Sequence, residues 1–413
     1  MASLETLFRL HSHVTLGSVP DGLDGLVVGD IARGLGASPD GTPALIFVVR
    51  DSTRISALEA ALAFFAPDVE VIGFPAWDCL PFDRVSPNAV VMARRTATLA
   101  RLASGLRTSK PLILITTLNA ALQRVPRREA IAAQTLIARP GAVIDMARLI
   151  RWCEDNGFSR TPTVRDTGEY AVRGGILDLY PAGFAEPVRL DFFGDQLESI
   201  RSFDPETQRT TGTLKGLDLM PVSEVTLLPE TISRFRQGYV ARFGVAQRND
   251  LLYQAISEGR RHPGLEHWLP LFHDRLSTVF DYTGRAPIIF DPLFDEALDE
   301  RFTQIEDHYK ARVEALDDLG ADGVPYHPLP PGELYLTREE WRDRLVDGKT
   351  ARLTPFASPD GARTVIDLGG RGGRSFAAER AAGQNVFDAV AGHLAELRNG
   401  KKRVLIAAWS EGA

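Results

Sequence analysis

A chain of 413 residues, 44% apolar and 24% charged, has the composition of globular material and is too long for a single core, so two to four domains are expected. Its net charge of −7 excludes bulk attraction to a polyanion, and any nucleic-acid contact has to be a local basic patch. Two distant cysteines, Cys79 and Cys153, exclude a disulfide framework and a cysteine metal site, and the lack of a long apolar run or a basic, apolar leader points to a cytoplasmic protein that crosses no membrane.

In chain order, an apolar strand over 44–49 is followed by a helical stretch to Phe65, a strand over 69–74, a helix over 92–106 and a strand over 112–116. Strands alternating with helices predict a parallel, doubly wound α/β sheet, whose first strand-to-helix loop is the usual place for a phosphate. That loop is residues 16–26, ahead of a helix over 27–35, and it carries Gly17, Gly22 and Gly25. It also carries Asp21 and Asp24, with Asp30 following, which puts negative charge where an anion would sit; a structural loop without nucleotide is the expectation. The second half of a nucleotide site would be an apolar strand ending in Asp-Glu. The corresponding run, residues 287–290, ends in Asp291-Pro292, so a magnesium ligand is conceivable at Asp291 and the catalytic carboxylate is missing at Pro292.

Arg124, Arg127 and Arg128 with Pro126 mark departure from this first region, and a helix over 146–156 ends at Gly157. The strands that follow carry the most pointed pattern in the chain, residues 169–180 and 187–197. Val188, Leu190 and Phe192 alternate with Arg189, Asp191 and Phe193, a strand with one buried and one open face, and Gly194-Asp195 reads as a two-residue hairpin turn. Centred there, Phe192 falls opposite Leu197 and Arg189 opposite Ile200, which predicts Arg189, Phe193 and Ile200 together on the open face. Arginine beside aromatic is what interfaces select, while a face covered by a helix of the same chain is the equal alternative. On this register Arg189 and Phe193 are both exposed and their truncation leaves stability unchanged.

Beyond Leu228 the chain returns to α/β style; the proline-rich stretch 323–332 reads as an extended connector. A further small α/β piece is expected from Ala351, with a strand over 364–368, a glycine-rich flexible loop over 369–373, a helix over 386–398 and a strand over 403–408. Ser410 reads as the N-cap of a next helix, so the sequence is expected to belong to a longer protein. His11 and His13 have no ligand partners at metal spacing, and no nucleophile motif is present.

Three separated stretches resemble one family in its own order: Phe74-Pro-Ala-Trp-Asp-Cys-Leu-Pro-Phe-Asp-Arg-Val-Ser-Pro87, the 169–197 strands with Tyr-Ala-Val-Arg-Gly and Val-Arg-Leu-Asp-Phe-Phe, and Gly264-Leu-Glu-His-Trp-Leu-Pro-Leu-Phe272. They are similar to the transcription-repair coupling factors and, more distantly, to the excision-repair protein UvrB, over nearly the whole chain. The resemblance implies a degenerate UvrB/RecA-like parallel-sheet domain in two halves, 1–130 and 222–350, an inserted mixed α+β domain, 131–221, and a truncated small α/β domain, 351–413. Aligned on the UvrB helix, Asp24 takes the position of the phosphate-binding Lys and Gly25 that of the Thr. The aromatic hairpin that UvrB carries between the positions of Leu80 and Arg94 is absent.

What the resemblance implies is a non-catalytic module that recruits UvrA for transcription-coupled nucleotide excision repair. Arg173, Arg189 and Phe193 fall on positions associated with that contact. ATP, magnesium, double-stranded DNA and RNA polymerase belong to motor and polymerase-binding parts that this chain lacks, as does the region that contacts the same surface intramolecularly. No catalytic, cofactor or metal residue is expected here. The rival readings are a nucleotide-dependent UvrB-type repair enzyme and a purely structural module regulating a distant motor.

Overall fold

The computed structural model describes residues 4–105, 108–318, 323–357, 364–404 and 406. Leu45–Val49 is apolar at every position and buried at every position, which only a central strand covered on both faces allows. It sits within a seven-stranded parallel sheet ordered Val365–Asp367, His13–Gly17, Thr350–Leu353, Ile288–Phe290, Leu45–Val49, Leu112–Thr117, Glu70–Phe74. The strands Ile288–Phe290 and Thr350–Leu353 lie between His13–Gly17 and Leu45–Val49, so the sheet is assembled from two parts of the chain that flank an intervening region. Helices Asp24–Leu35 and Thr53–Phe65 pack on one face and Ala89–Ser104 on the other. A strand was expected over 364–368 in a separate piece. It is present as Val365–Asp367, but it pairs with His13–Gly17 at the edge of this same sheet, and the compact unit runs to Gly369.

Gly25 has a packing reason to be glycine. A Cβ there would lie 2.7 Å from the Ala61 Cβ, and one at Gly29, a turn later, 2.7 Å from the Ala66 Cβ, so the two glycines let the first helix press against the second.

The intervening region forms a second sheet of six strands, Thr210–Leu214, Gln196–Phe203, Val188–Phe193, Ile176–Leu179, Glu169–Arg173 and Ser159–Arg160, antiparallel except for the last pair. Helix Met146–Asp155, capped by the Asp145 carboxylate, lays Leu149 and Cys153 on its inner face against Leu177, Leu179, Leu190 and Ile200. Residues 222–224, which leave this region, bond both back to it and across to the part of the chain that carries the larger sheet. Val222 N–H donates to the Asn156 carbonyl at 3.0 Å, and Arg95, fully buried on helix Ala89–Ser104, donates through Nε to Glu224 Oε1 at 2.9 Å. Trp77 Nε1 donates to the other oxygen of Glu224 at 3.0 Å.

The stretches 74–87 and 264–272 meet in space. Ser86 Oγ donates to Glu266 Oε2 at 2.6 Å and accepts from Gly264 N–H at 2.8 Å, and Trp77 stands edge-on to His267 with ring centres 5.6 Å apart. Gly264 has a φ of +79°, and a Cβ there would press on the Arg84 backbone at 3.0 Å. These two stretches therefore pack directly against each other.

The connector over 323–332 is irregular as far as Pro330 and then makes a single helical turn, Pro331–Leu334. The second compact unit, Gly370–Ala413, contains helices Ala377–Ala381 and Val386–Asn399, the latter where a helix was expected. Of the strand expected over 403–408, residues 403 and 404 are not in a strand, while 405, 407, 408 and the Ser410 cap lie outside the described residues. No helix among the described residues is long and apolar enough to cross a membrane.

Candidate partner-binding face

The register of the second sheet decides which side chains stand together. Ala171, Asp178, Arg189, Arg201 and Thr213 form one cross-strand row, and Arg173, Ile176, Asp191 and Ser199 the next, on the face opposite the Met146–Asp155 helix. Phe193 continues this face at the hairpin end, beside Gln196. Phe192 does pair with Leu197, as the hairpin reading has it. The pairing of Arg189 with Ile200 is corrected: a bulge after Asp191 leaves Glu198 unpaired, so Ile200 lies opposite Leu190 on the inner face, fully buried, and Arg201 takes its place opposite Arg189. A residue count from the turn cannot see a bulge, and one extra residue exchanges the two faces.

Arg189 is also less free than expected. Its Nε and Nη2 donate to the two carboxylate oxygens of Asp178 at 2.7 and 2.8 Å, and its guanidinium lies 4.9 Å from the centre of the Phe203 ring. The Asp178 side chain is 1% exposed and that of Arg189 17%. The hydrogen bonds to Asp178 raise the Arg189 pKa further, so the guanidinium stays charged. Below it Val164, Ala171 and Phe203 form a small buried cluster on the outer side of the sheet. One row on, Arg201 donates to Asp191 at 2.7–3.0 Å, and Ser199 Oγ donates to the same carboxylate at 2.6 Å. Arg173 is exposed at the face's edge, where Nη2 donates to the Pro162 carbonyl at 2.9 Å and to Thr163 Oγ1 at 3.3 Å. Phe193 is 77% exposed.

The face is thus a lattice of paired charges with an aromatic at one end and, at one edge, an arginine with no carboxylate partner among the described residues. Arg173, Arg189 and Phe193 are on one surface, which is open to solvent at Phe193 and Arg173. Sequence reasoning missed Asp178, Asp191 and Arg201. The signal for Asp178 was present: an aspartate inside Ile-Leu-Asp-Leu must find a cation or stay out of the sheet.

The glycine-bearing loop folds into something different from a phosphate cradle. Helix Asp24–Leu35 begins at Asp24 itself, and the Asp24 carboxylate accepts from Gly25 N–H at 2.8 Å and from Arg54 Nη2 at 2.5 Å. The same Nη2 is 2.9 Å from the Asp291 carboxylate, and Nη1 is 3.1 Å from Asp21. Asp24 and Arg54 stand in the first turns of two helices and Asp291 directly follows the strand Ile288–Phe290, and the three close on one another. The cation of the site is already bound by the chain's own carboxylates. Gly17 ends the first strand and Gly22 turns with a φ of +92° ahead of the helix; Pro292 follows Asp291 and supplies no carboxylate. Among the described residues no group of three or more His, Cys, Asp or Glu is placed to hold a metal ion.

Burial pushes the Asp291 carboxyl up to about 6, with Arg54 opposing. Its proton is held more tightly in the folded chain than in the unfolded one, so the stability it contributes is present below about pH 4 and is lost as pH rises through about 6. Urea unfolding across that window is expected to fall off more steeply for the wild type than for Asp291→Asn, by on the order of 2 kcal/mol. Parallel stability curves for the two proteins contradict this assignment.

Known proteins bear on the same residues. Residues 136–225, which contain the whole second sheet, match the model of the UvrB interaction domain. The chain is 32% identical to the transcription-repair coupling factor of Rickettsia bellii over 87% of its own length and 31% of that protein. It is 36% identical to that of Myxococcus xanthus over 73% of this chain and 26% of the relative, and 32% identical to that of Escherichia coli over 69% and 24%. The chain spans about a third or less of the length of these curated relatives. By this similarity across most of its own length, the chain is a relative of the transcription-repair coupling factors that carries a UvrB interaction domain.

Proposed function

We propose that the outer face of the second sheet, with Phe193 as its apolar anchor and Arg173 and Arg189 beside it, docks UvrA, and that the chain serves as a non-catalytic recruitment module for transcription-coupled nucleotide excision repair in the bacterial cytoplasm. The observation that carries this is the match of residues 136–225 to the UvrB interaction domain, which encloses a solvated sheet face bearing a largely exposed phenylalanine. Large apolar side chains rimmed by arginine are characteristic of contact surfaces and sparse on inert ones. Displacement of RNA polymerase and translocation on duplex DNA with ATP are assigned to parts of the longer relatives outside this span. Purified chain and UvrA are expected to co-elute in size-exclusion chromatography; separate elution at micromolar concentrations of both argues against the proposal.

The same reading holds that this chain binds no nucleotide. Arg54 is held between Asp24 and Asp291, and a phosphate arriving there would face three carboxylates, counting Asp21. Calorimetry with Mg-ATP is expected to show no heat of binding, and a micromolar dissociation constant would overturn it.

A further inference from the structure

A second apolar side chain lies in line with Phe193 and belongs to a different part of the chain. The segment leading to helix Met146–Asp155 runs along the hairpin end. Gly141 N–H donates to the Leu197 carbonyl and Ile144 N–H to the Asp195 carbonyl, each at 2.7 Å, and Leu197 N–H donates to the Ala142 carbonyl at 2.9 Å. This sets Val143 directly opposite Gln196, which on its other side is opposite Phe193. Residues opposed in an antiparallel pairing share a face, so Phe193, Gln196 and Val143 form one row across three strands, with the two apolar ends roughly 10 Å apart. Val143 is 80% exposed and Phe193 77%. In the same segment Ala142 and Ile144 are half-buried, so the chain turns a β-branched apolar side chain outward at the one position that continues the row.

We infer that Val143 is a second anchor of the same docking surface, so that the partner presents an apolar strip long enough to cover both Val143 and Phe193. This rests on the reading of the face as the UvrA-docking surface. Two observations tie the occupant of the Val143 end to that of the Phe193 end. The row is continuous, and the matched interaction domain starts at residue 136 and so includes this segment. A helix of this chain does not fill the role, since both side chains stay open to solvent with the domain's helix packed on the opposite face.

The test is a titration of UvrA with full-length chain carrying Val143→Glu, alongside Phe193→Ala and a control, Val245→Glu, at an 88% exposed position outside the matched domain. Val143→Glu is expected to weaken binding at least tenfold with an unchanged melting temperature, and Val245→Glu to bind as wild type. Should Val143→Glu lower the melting temperature, Val143→Ser, expected to weaken binding severalfold, replaces it. Wild-type binding by the Val143 variants together with loss in Phe193→Ala overturns the second anchor and leaves the face reading standing. Wild-type binding by Phe193→Ala as well overturns the face reading and the inference with it.

Discussion

Arg189→Ala is expected to lower folding stability by about 3 kcal/mol, although its position in the sequence reads as a solvated one. The reason lies in Asp178. Its carboxylate is buried within the sheet and takes both its hydrogen bonds from Arg189, so truncating the arginine leaves a buried negative charge without a partner, which typically costs 3–5 kcal/mol. The lower end applies because the arginine retains some solvent contact. Asp178→Ala in the Arg189→Ala background removes the orphaned charge, and the double variant is expected to be more stable than the sum of the two single losses by about 1–3 kcal/mol. Urea unfolding of the four proteins closes this cycle. Additive losses would mean that the pair is solvated and independent. A practical consequence is that loss of partner binding in Arg189→Ala reports on folding as well as on contact.

Phe192→Ala and Phe193→Ala are expected to part company completely. Phe192 is 9% exposed and packs among Leu177, Leu190 and Leu197, and removing such a side chain costs about 3–5 kcal/mol. Phe193 touches solvent over most of its surface, and its removal is expected to change stability by less than about 0.5 kcal/mol. Thermal melts of both variants check this directly. A destabilised Phe193→Ala beside an unaffected Phe192→Ala would put the strand one residue out of register.

Much of this was legible in the sequence because the period of the apolar pattern was clean. The strands 45–49, 70–74 and 112–117 and the helices between them follow from apolar runs and their spacing. The acidic character of the glycine-bearing loop was readable from Asp21 and Asp24. What the sequence could not show is that Arg54 closes the site, because its partners are 30 and 237 residues away and only the parallel register of the sheet brings them together. The edge strand Val365–Asp367 was assigned to a separate piece because nothing local distinguishes an edge strand of one sheet from the first strand of another. On the outer face, Phe193 was readable from alternation alone. Ile200 was not, since the bulge at Glu198 is a backbone event without a glycine or proline to announce it. The restraint on Arg189 is not legible locally for a related reason: its partner lies on the neighbouring strand, and pairing across strands depends on register.

On the proposed function, the exposed Phe193 on the outer face of the second sheet is the anchor for UvrA. The most direct test is the affinity of purified UvrA for the wild-type chain and for Phe193→Ala, measured at equal salt by calorimetry with melting temperatures recorded for both. An anchor of this kind contributes about 2 kcal/mol or more, so a roughly thirtyfold or greater loss of affinity with an unaltered melting temperature is expected. Equal affinity for the two proteins would contradict it.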